Sequence, residues 1–461
     1  MSYIVTNKWL RSGYGEGLRA YFAAQARLER IIDFGHAPIF ADADVFPVII
    51  VVERPAEGTV SEDHEVQVSN FPREALGVIN LDSFVTRYSH NVPQRRLGRN
   101  AWSLEASSTD DLMEKIRQAG PTLTEYAGVK PYRGVLTGFN EAFLIDTPTR
   151  DRLIHEDPQC AAIIKPYLRG QDIKRWTPAW AGLWMIFTRR GIEIDAYPSV
   201  KNHLLRFREQ LEPRPKDWTG KTWAGRKPGN YQWYEIQDSV DYWGFFEHPK
   251  ILYQEIQFHS VYSIDFTGYF SNNKVFLIPN ADSYLLAVLN SPLMWWHNWR
   301  YLPHMKDEAL NPAGFLIEKL PIAPATDAIR EAVEPAVAQL IAITQREQAA
   351  RRDTLDWLRS EFDLENPGQK LTDFAILSET EFIEEVKKRR PKAAGKLSPS
   401  GLRALRNGYH EQAPPVQQNR ANARQLEHRL ATLVNTAYGL TPEEIALMWE
   451  TAPPRMPARE Q

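Results

Sequence analysis

The 461 residues, 43% apolar and 25% charged, suffice for more than one buried core and exclude a disordered or collagen-like chain. Lys and Arg (55) nearly balance Asp and Glu (58), so the net charge of -3 excludes a protein that is basic throughout and makes any nucleic-acid role a regional one. A single cysteine, Cys160, excludes an internal disulfide framework, a cysteine-rich zinc site and a zinc deaminase, and it fits a reducing cytosol.

The start of the chain carries neither a basic segment with a long apolar run nor a small-residue cleavage site, so a cytoplasmic protein is expected. Residues 1–56 alternate strand and helix signals: Tyr3-Ile4-Val5, a glycine-rich turn, a helix predicted over Leu18–Leu28, then Ile31-Ile32 and the apolar run Val45–Val52. Short β-branched runs around one helix predict part of an open α/β sheet. From about residue 57 to Leu320-Pro321-Ile322 the pattern loosens, with many Pro, Gly and Trp, and predicts a mixed domain with long loops. Within it, Tyr284–Leu302 is the most apolar stretch, but Asn290-Ser291-Pro292 interrupts it and His297, Asn298 and Arg300 would be costly in hydrocarbon. It reads as a buried helix, a turn and a second helix, with no membrane contact.

Beyond Pro324 the period becomes helical, with Ile329, Val333, Val337, Leu340 and Ile341 on one stripe and Leu355, Trp357, Leu358 and Phe362 on the next. Eight Lys or Arg and no acid lie between Lys387 and Arg406, and Ala413-Pro414-Pro415 reads as a linker before the last helical pair. Thr441-Pro442-Glu443-Glu444 starts the final helix with a cap, a proline at the first helical position and a reciprocal glutamate. The fold class expected is therefore α/β plus α.

Few constellations carry chemistry. Gly13-Tyr14-Gly15-Glu16-Gly17, with Asp33 further on, has the outline of a phosphate-cradling loop, but its third glycine comes one residue early and no Lys-Ser/Thr follows. Glycines at a strand-to-helix turn need no ligand, and no cofactor is assigned to this loop. Asp241 and Glu255-Ile256-Gln257 lack the lysine of a metal-dependent nuclease, and His297 and His304 are too far apart for one helical turn, so no metal is expected. The charge distribution says more. Between Lys165 and Lys227 there are 14 Lys or Arg against six Asp or Glu, interleaved with Trp176, Trp180, Trp184, Tyr197, Trp218 and Trp223. Cations that neutralise phosphates among aromatics and amides are what a nucleic-acid surface needs. A solvated basic face over an aromatic core reads equally well from the same residues.

The run Tyr132-Arg133-Gly134-Val135-Leu136-Thr137-Gly138-Phe139-Asn140, followed by Lys165-Pro166-Tyr167-Leu168-Arg169-Gly170-Gln171-Asp172-Ile173-Lys174-Arg175-Trp176, resembles the target-recognition region of adenine-specific DNA methyltransferases of type IIG restriction-modification and related phage-defence systems. Phe246-Glu247-His248-Pro249-Lys250-Ile251, Leu285–Ser291 and Glu318-Lys319-Leu320-Pro321-Ile322 follow in the family's order, and Leu433–Leu440 is also similar. The resemblance implies that residues 1–56 are the last strands and helix of a methyltransferase sheet, 57–324 a target-recognition domain, and 325–461 a helical spacer and C-terminal region. It also places Phe40 where the family sets an aromatic against the flipped adenine. Without the resemblance, Phe40 reads as a core residue at a strand start.

The sequence departs from the family in one respect. The methyl-donor loop and the Asn/Asp-Pro-Pro-aromatic tetrapeptide are missing; the nearest strings are Asn290-Ser291-Pro292-Leu293 and Asn311-Pro312-Ala313-Gly314. The chain is accordingly expected to recognise duplex DNA without binding S-adenosylmethionine or methylating adenine alone. DNA contacts are expected from Lys165, Arg169, Lys174, Arg175, Arg189 and Arg190, mostly to phosphate, with Arg133, Thr137 and Asn140 at a groove or loop. Two alternatives stand beside this. The chain is one subunit of a split methyltransferase that uses S-adenosylmethionine when a partner chain supplies the other half, or it is an interaction protein regulating a defence-system methyltransferase or nuclease.

Overall fold

The computed structural model describes residues 1–35, 39–40, 45–55, 64–71 and 80–458. They form two compact units: Met1–Gln118 with His304–Ala309 and Thr441–Thr451, and Ala119–Pro303 with Leu310–Leu440 and the residues from Ala452.

The first unit is built on five strands, β1 (Ser2–Thr6), β2 (Arg27–Asp33), β3 (Pro47–Glu53), β4 (Glu65–Asn70) and β5 (His90–Pro93). Their order is β1-β3-β2-β4-β5, antiparallel except where β2 runs parallel to β4. The β-branched run of β3 lies between β1 and β2, and Leu28, Ile31, Val48, Ile50, Val66 and Val68 meet Trp9 and Trp102 in its core. The rings of Trp9 and Trp102 pack edge to face at 5.2 Å. At the edge, every residue of β1 is exposed, Tyr3, Ile4 and Val5 included.

The first helix ends earlier than the sequence predicts, running Glu16–Gln25, because Ala26 is already extended and Leu28 is fully buried in β2. Pairing with β3 outweighs the helical spacing here, and the Gln94 carboxamide bridges the start of β2, accepting from Leu28 N at 2.9 Å and donating to Ala26 O at 2.7 Å. The glycine-rich turn serves packing: a Cβ on Gly15 would lie 2.1 Å from the Trp9 carbonyl oxygen. Arg19, buried beside it, donates to the Ser12 and Arg99 carbonyls at 2.9 and 3.1 Å. Asp33 accepts from Asn7 Nδ2 and Gly35 N.

The second unit holds two four-stranded sheets over one core. Its strands are β6 (Tyr132–Arg133), β7 (Leu144–Asp146), β8 (Ile164–Leu168), β9 (Leu183–Ile186), β10 (Lys250–Gln254), β11 (Tyr262–Asp265), β12 (Phe270–Ser271) and β13 (Val275–Pro279). The orders are β11-β10-β13-β6, all antiparallel, and β12-β8-β9-β7, parallel only between β12 and β8. Lys250 and Asp265 face each other across β10 and β11 as a wholly buried pair. Asp265 also accepts from Thr267 N and Tyr269 N, and so closes the turn after β11.

Tyr284–Leu302 folds as the sequence predicts, as helices Ser283–Leu289 and Pro292–Tyr301. The break is built by Ser291, whose hydroxyl caps Met294 N, and by Asn290, whose carboxamide donates to Tyr262 O at 2.9 Å and accepts from Tyr262 N at 3.1 Å. Asn290 thus pairs with the edge of β11 as a strand residue would. Among the described residues no helix is long and apolar enough to cross a membrane.

The two predicted stripes beyond Pro324 belong to one helix, Asp327–Phe362, which buries Val333, Val337, Leu340, Leu358 and Phe362. Ala413-Pro414-Pro415 is not a linker: a single helix spans Pro399–Ala437. Two prolines cost that helix backbone hydrogen bonds, but Ala413 and Val416 are buried in one cluster with Phe374, Phe382 and Tyr409, and the helix continues past both prolines.

Candidate nucleic-acid interface

Several cations named from sequence are engaged by acids or carbonyls of the unit itself. After β8, Arg169 grips Asp172 with two bonds, 3.0 and 2.8 Å, while Asp172 caps the turn by accepting from Arg169 N. Lys165 pairs with Glu247 at 2.6 Å. Arg175 reaches Glu427 at 2.7 Å, the Ser260 carbonyl at 3.1 Å and Asn290 O at 2.8 Å. Trp176 donates its indole N–H to the same Glu427 oxygen at 2.8 Å. This tryptophan holds a left-handed backbone, φ 75°, a strained conformation for a bulky residue, which its backbone bonds to β11 stabilise.

The Thr137 hydroxyl is buried and donates to Asn140 Oδ1 at 2.7 Å, while Asn140 itself lies exposed. Arg133 donates to Asn273 O at 2.6 Å and faces Glu255 at 3.5 Å. Arg190 donates to the Ile236 and Gln237 carbonyls at 2.5 and 2.6 Å. Arg189 is exposed, its guanidinium 5.3 Å from the centre of the Trp243 ring. Lys174 is also exposed, and its ammonium is held below the usual lysine range by local burial and by Arg351.

The residue that organises the loops around Thr137 and 212–226 is Arg226, which is 4% exposed. Its five N–H groups reach five carbonyls: Nε to Leu211 at 2.8 Å, one terminal nitrogen to Thr137 and Glu235 at 3.0 and 2.7 Å, the other to Gln232 and Trp233 at 3.2 and 3.0 Å. The guanidinium also lies 4.4 Å from the Tyr231 ring centre. Burial pushes its pKa down to about 10, which leaves it charged at neutral pH. Arg226 N donates to Glu212 O and Arg226 O accepts from Arg214 N, so the same residue closes the neck of the 212–226 loop.

That loop carries the exposed cations Arg214, Lys216 and Lys221, with Lys227 just beyond. Trp218, 44% exposed, packs edge to face on Trp223 at 5.0 Å between them. Cations and aromatic rings are thus presented together by a loop with a fixed base. The count from Lys165 to Lys227 flagged the segment, and Trp218 and Trp223 were named within it, but the cations singled out as DNA contacts lie outside this loop. Phe40 lies before β3 and is 43% exposed, while neighbouring Ile39 packs against Ile32, Phe34, Phe71 and Phe84.

His203, buried in the same unit, gives it a pH dependence. Arg206 can only donate, so Nδ1 of the ring accepts from it and Nε2–H donates to Ala142 O at 3.0 Å; the ring is neutral. Burial, then the Arg206 charge, lowers its pKa from 6.5 to about 4. The unfolded chain therefore binds this proton more readily, and stability, full above pH 6.5, falls as pH drops toward 4, by about 3 kcal/mol in all. Urea unfolding of wild type and His203→Gln across pH 4 to 7 should show profiles that converge toward acid; parallel profiles would contradict the assignment.

Three family models match the chain. Residues 1–40 match the Eco57I restriction-modification methylase, 165–322 the TaqI-like C-terminal specificity domain, and 326–434 a domain of unknown function, DUF8810. The Type II methyltransferase M.PaeR7I of Pseudomonas aeruginosa is 27% identical over 307 residues, 64% of this chain and 49% of that protein. The Type II methyltransferase M.XhoI of Xanthomonas vasicola is 24% identical over 270 residues, 56% and 46%. The chain spans about half the length of the curated relatives it matches. Among solved structures, the type IIL restriction-modification enzyme MmeI in complex with DNA is similar at 14% identity and a TM-score of 0.46, over 98% of this chain and 49% of that one. The type IIG restriction endonuclease BpuSI is similar at 12% identity and a TM-score of 0.32, over 90% and 48%.

Proposed function

Because the chain carries parts of the Eco57I/TaqI-like methyltransferase family, with the specificity domain over residues 165–322, we propose that it is the sequence-recognition part of an adenine-N6 DNA methyltransferase of a restriction-modification or phage-defence system, acting in the cytoplasm. The observation that carries this reading is the 212–226 loop, inside the matched specificity region, which holds Arg214, Lys216, Lys221 and Trp218 outward on a base fixed by Arg226. Cations there neutralise phosphates while the ring stacks or fills a groove. Arg189, Lys174 and Asn140 supply further contacts. Lys165, Arg169, Arg175 and Arg190 act as the frame. Phe40, half-exposed, stands as the stacking wall for an extruded adenine.

No Asn/Asp-Pro-Pro-aromatic string occurs in the 461 residues. Without that tetrapeptide the amine of an extruded adenine is not positioned for in-line attack on a methyl donor. S-adenosylmethionine and methyl transfer are therefore assigned to polypeptide that carries the missing motifs. The exposed edge of β1 is a template on which further polypeptide can pair, whether of the same chain or another.

Fluorescence anisotropy with a labelled duplex tests the recognition role, with methyl transfer from labelled donor followed in parallel. Wild type should bind with a steep salt dependence. Arg214→Ala/Lys216→Ala/Lys221→Ala should flatten the log–log slope by about 2 to 3 and weaken binding at least about tenfold. Failure to bind duplex at low salt, or methylation by this chain alone, would overturn the reading.

A further inference from the structure

The helices Asp327–Phe362 and Pro399–Ala437 lie side by side and enclose between them a groove of 450 Å³. Gln339, Ile343 and Arg346 reach it from the first helix at intervals of four and three residues; Asn422, Gln425 and Arg429 reach it from the second at three and four. Ile343 is buried and floors the groove, while both arginines are exposed.

Several other arginines of this unit are matched to acids. Arg175 holds Glu427, Arg420 holds Glu347 and Asp373, and Arg330 holds Asp282. Arg346 and Arg429, by contrast, have no carboxylate within ion-pair distance among the described residues, and no acid lines the groove. The side-chain contact recorded for Arg346 is from Nε to the Ala342 carbonyl of its own helix, 3.3 Å. Both guanidinium groups border the groove with no acid to neutralise them, which favours an anion there, and Arg is the residue best shaped to hold phosphate oxygens in pairs. The three carboxamides add neutral N–H donors of the kind that commonly bind phosphate oxygens.

Resting on the DNA-recognition reading, we infer that this groove is a phosphate site and that its occupant is a backbone phosphate of bound DNA, held between Arg346 and Arg429 with Gln339, Asn422 and Gln425 around it. A site open along its length suits a phosphate that belongs to a polymer. The region that matches the domain of unknown function thereby receives a role, as a second handhold on the duplex beside the specificity domain.

The test compares the full chain with Arg346→Gln/Arg429→Gln, by anisotropy on a labelled duplex across a salt series and by calorimetric titration with inorganic pyrophosphate. Neither arginine is engaged by a carboxylate, so Tm should not fall. The expected result is a slope flattened by about 2, duplex affinity weakened about tenfold at moderate salt, and weak pyrophosphate binding that the substitution removes. Pyrophosphate binding lost with duplex binding unchanged would overturn DNA as the source and assign a free polyphosphate or nucleotide. No change in either titration would overturn the site altogether. The Arg214, Lys216 and Lys221 variant separates this from the wider reading. If that variant loses duplex binding and the groove variant does not, only the groove assignment fails. If wild type binds no duplex, the recognition role and the DNA assignment both fail, while the pyrophosphate titration still decides whether a phosphate site exists.

Discussion

Arg226→Met should lower the unfolding free energy by about 4 kcal/mol and remove most duplex binding, although residue 226 itself lies 4% exposed and is not expected to touch DNA. Methionine replaces the stem of the side chain but none of its five donors, so the carbonyls of Leu211, Thr137, Glu235, Gln232 and Trp233 lose their common partner. A buried polar group left without a partner costs about 1 to 3 kcal/mol, and loop movement that readmits water recovers part of it. That same movement releases the neck of the 212–226 loop. Lysine offers three donors and no planar fork, so Arg226→Lys should retain about half of the lost stability while still weakening binding. Urea denaturation and anisotropy on the same preparations check both effects. A variant with unchanged stability and unchanged affinity would show that the guanidinium is not the anchor.

Lys250→Met should cost a similar amount, about 3 to 5 kcal/mol, by leaving Asp265 charged and unmatched in a place from which water is excluded. The ammonium contacts the Phe246 carbonyl as well as Asp265. Burial lowers the lysine pKa while the carboxylate opposes that shift, so the charge is retained because of the pair. Removing both charges is gentler than removing one. Lys250→Met/Asp265→Asn should be the more stable of the two variants, since the asparagine oxygen still accepts a backbone N–H from Thr267 or Tyr269. A double-mutant cycle on the denaturation midpoints measures the coupling, and a double variant less stable than Lys250→Met would contradict it.

What the sequence disclosed follows the range of the interactions involved. The break at Asn290-Ser291-Pro292 and the cap at Thr441 were legible because a hydroxyl, a proline at the first helical position and a reciprocal glutamate act within four residues. The helix end before Leu28 was not, since it depends on β3 and on Gln94, 66 residues away. The proline pair at 414 and 415 misled for the same reason: local punctuation was outweighed by burial of Ala413 and Val416 on a distant hydrophobic cluster. In the candidate site, the basic and aromatic character of residues 165–227 was visible, but the division of labour within it was not. Arg175 and Trp176 converge on Glu427, 251 residues from the tryptophan, and nothing near either of them in the chain announces that acid. The hydrogen bonds of Arg226 go to backbone oxygens alone, which every residue type possesses and which leave no compositional trace.

That last property has an evolutionary consequence. Leu211, Gln232 and Trp233 contribute to the anchor only the oxygen common to all amino acids, so exchanges at those positions preserve the grip of the guanidinium. Arg214, Lys216, Trp218 and Lys221, displayed above it, are equally free to be replaced. A lineage can therefore change what this loop displays while inheriting its architecture, with one buried arginine holding the base beneath many different surfaces.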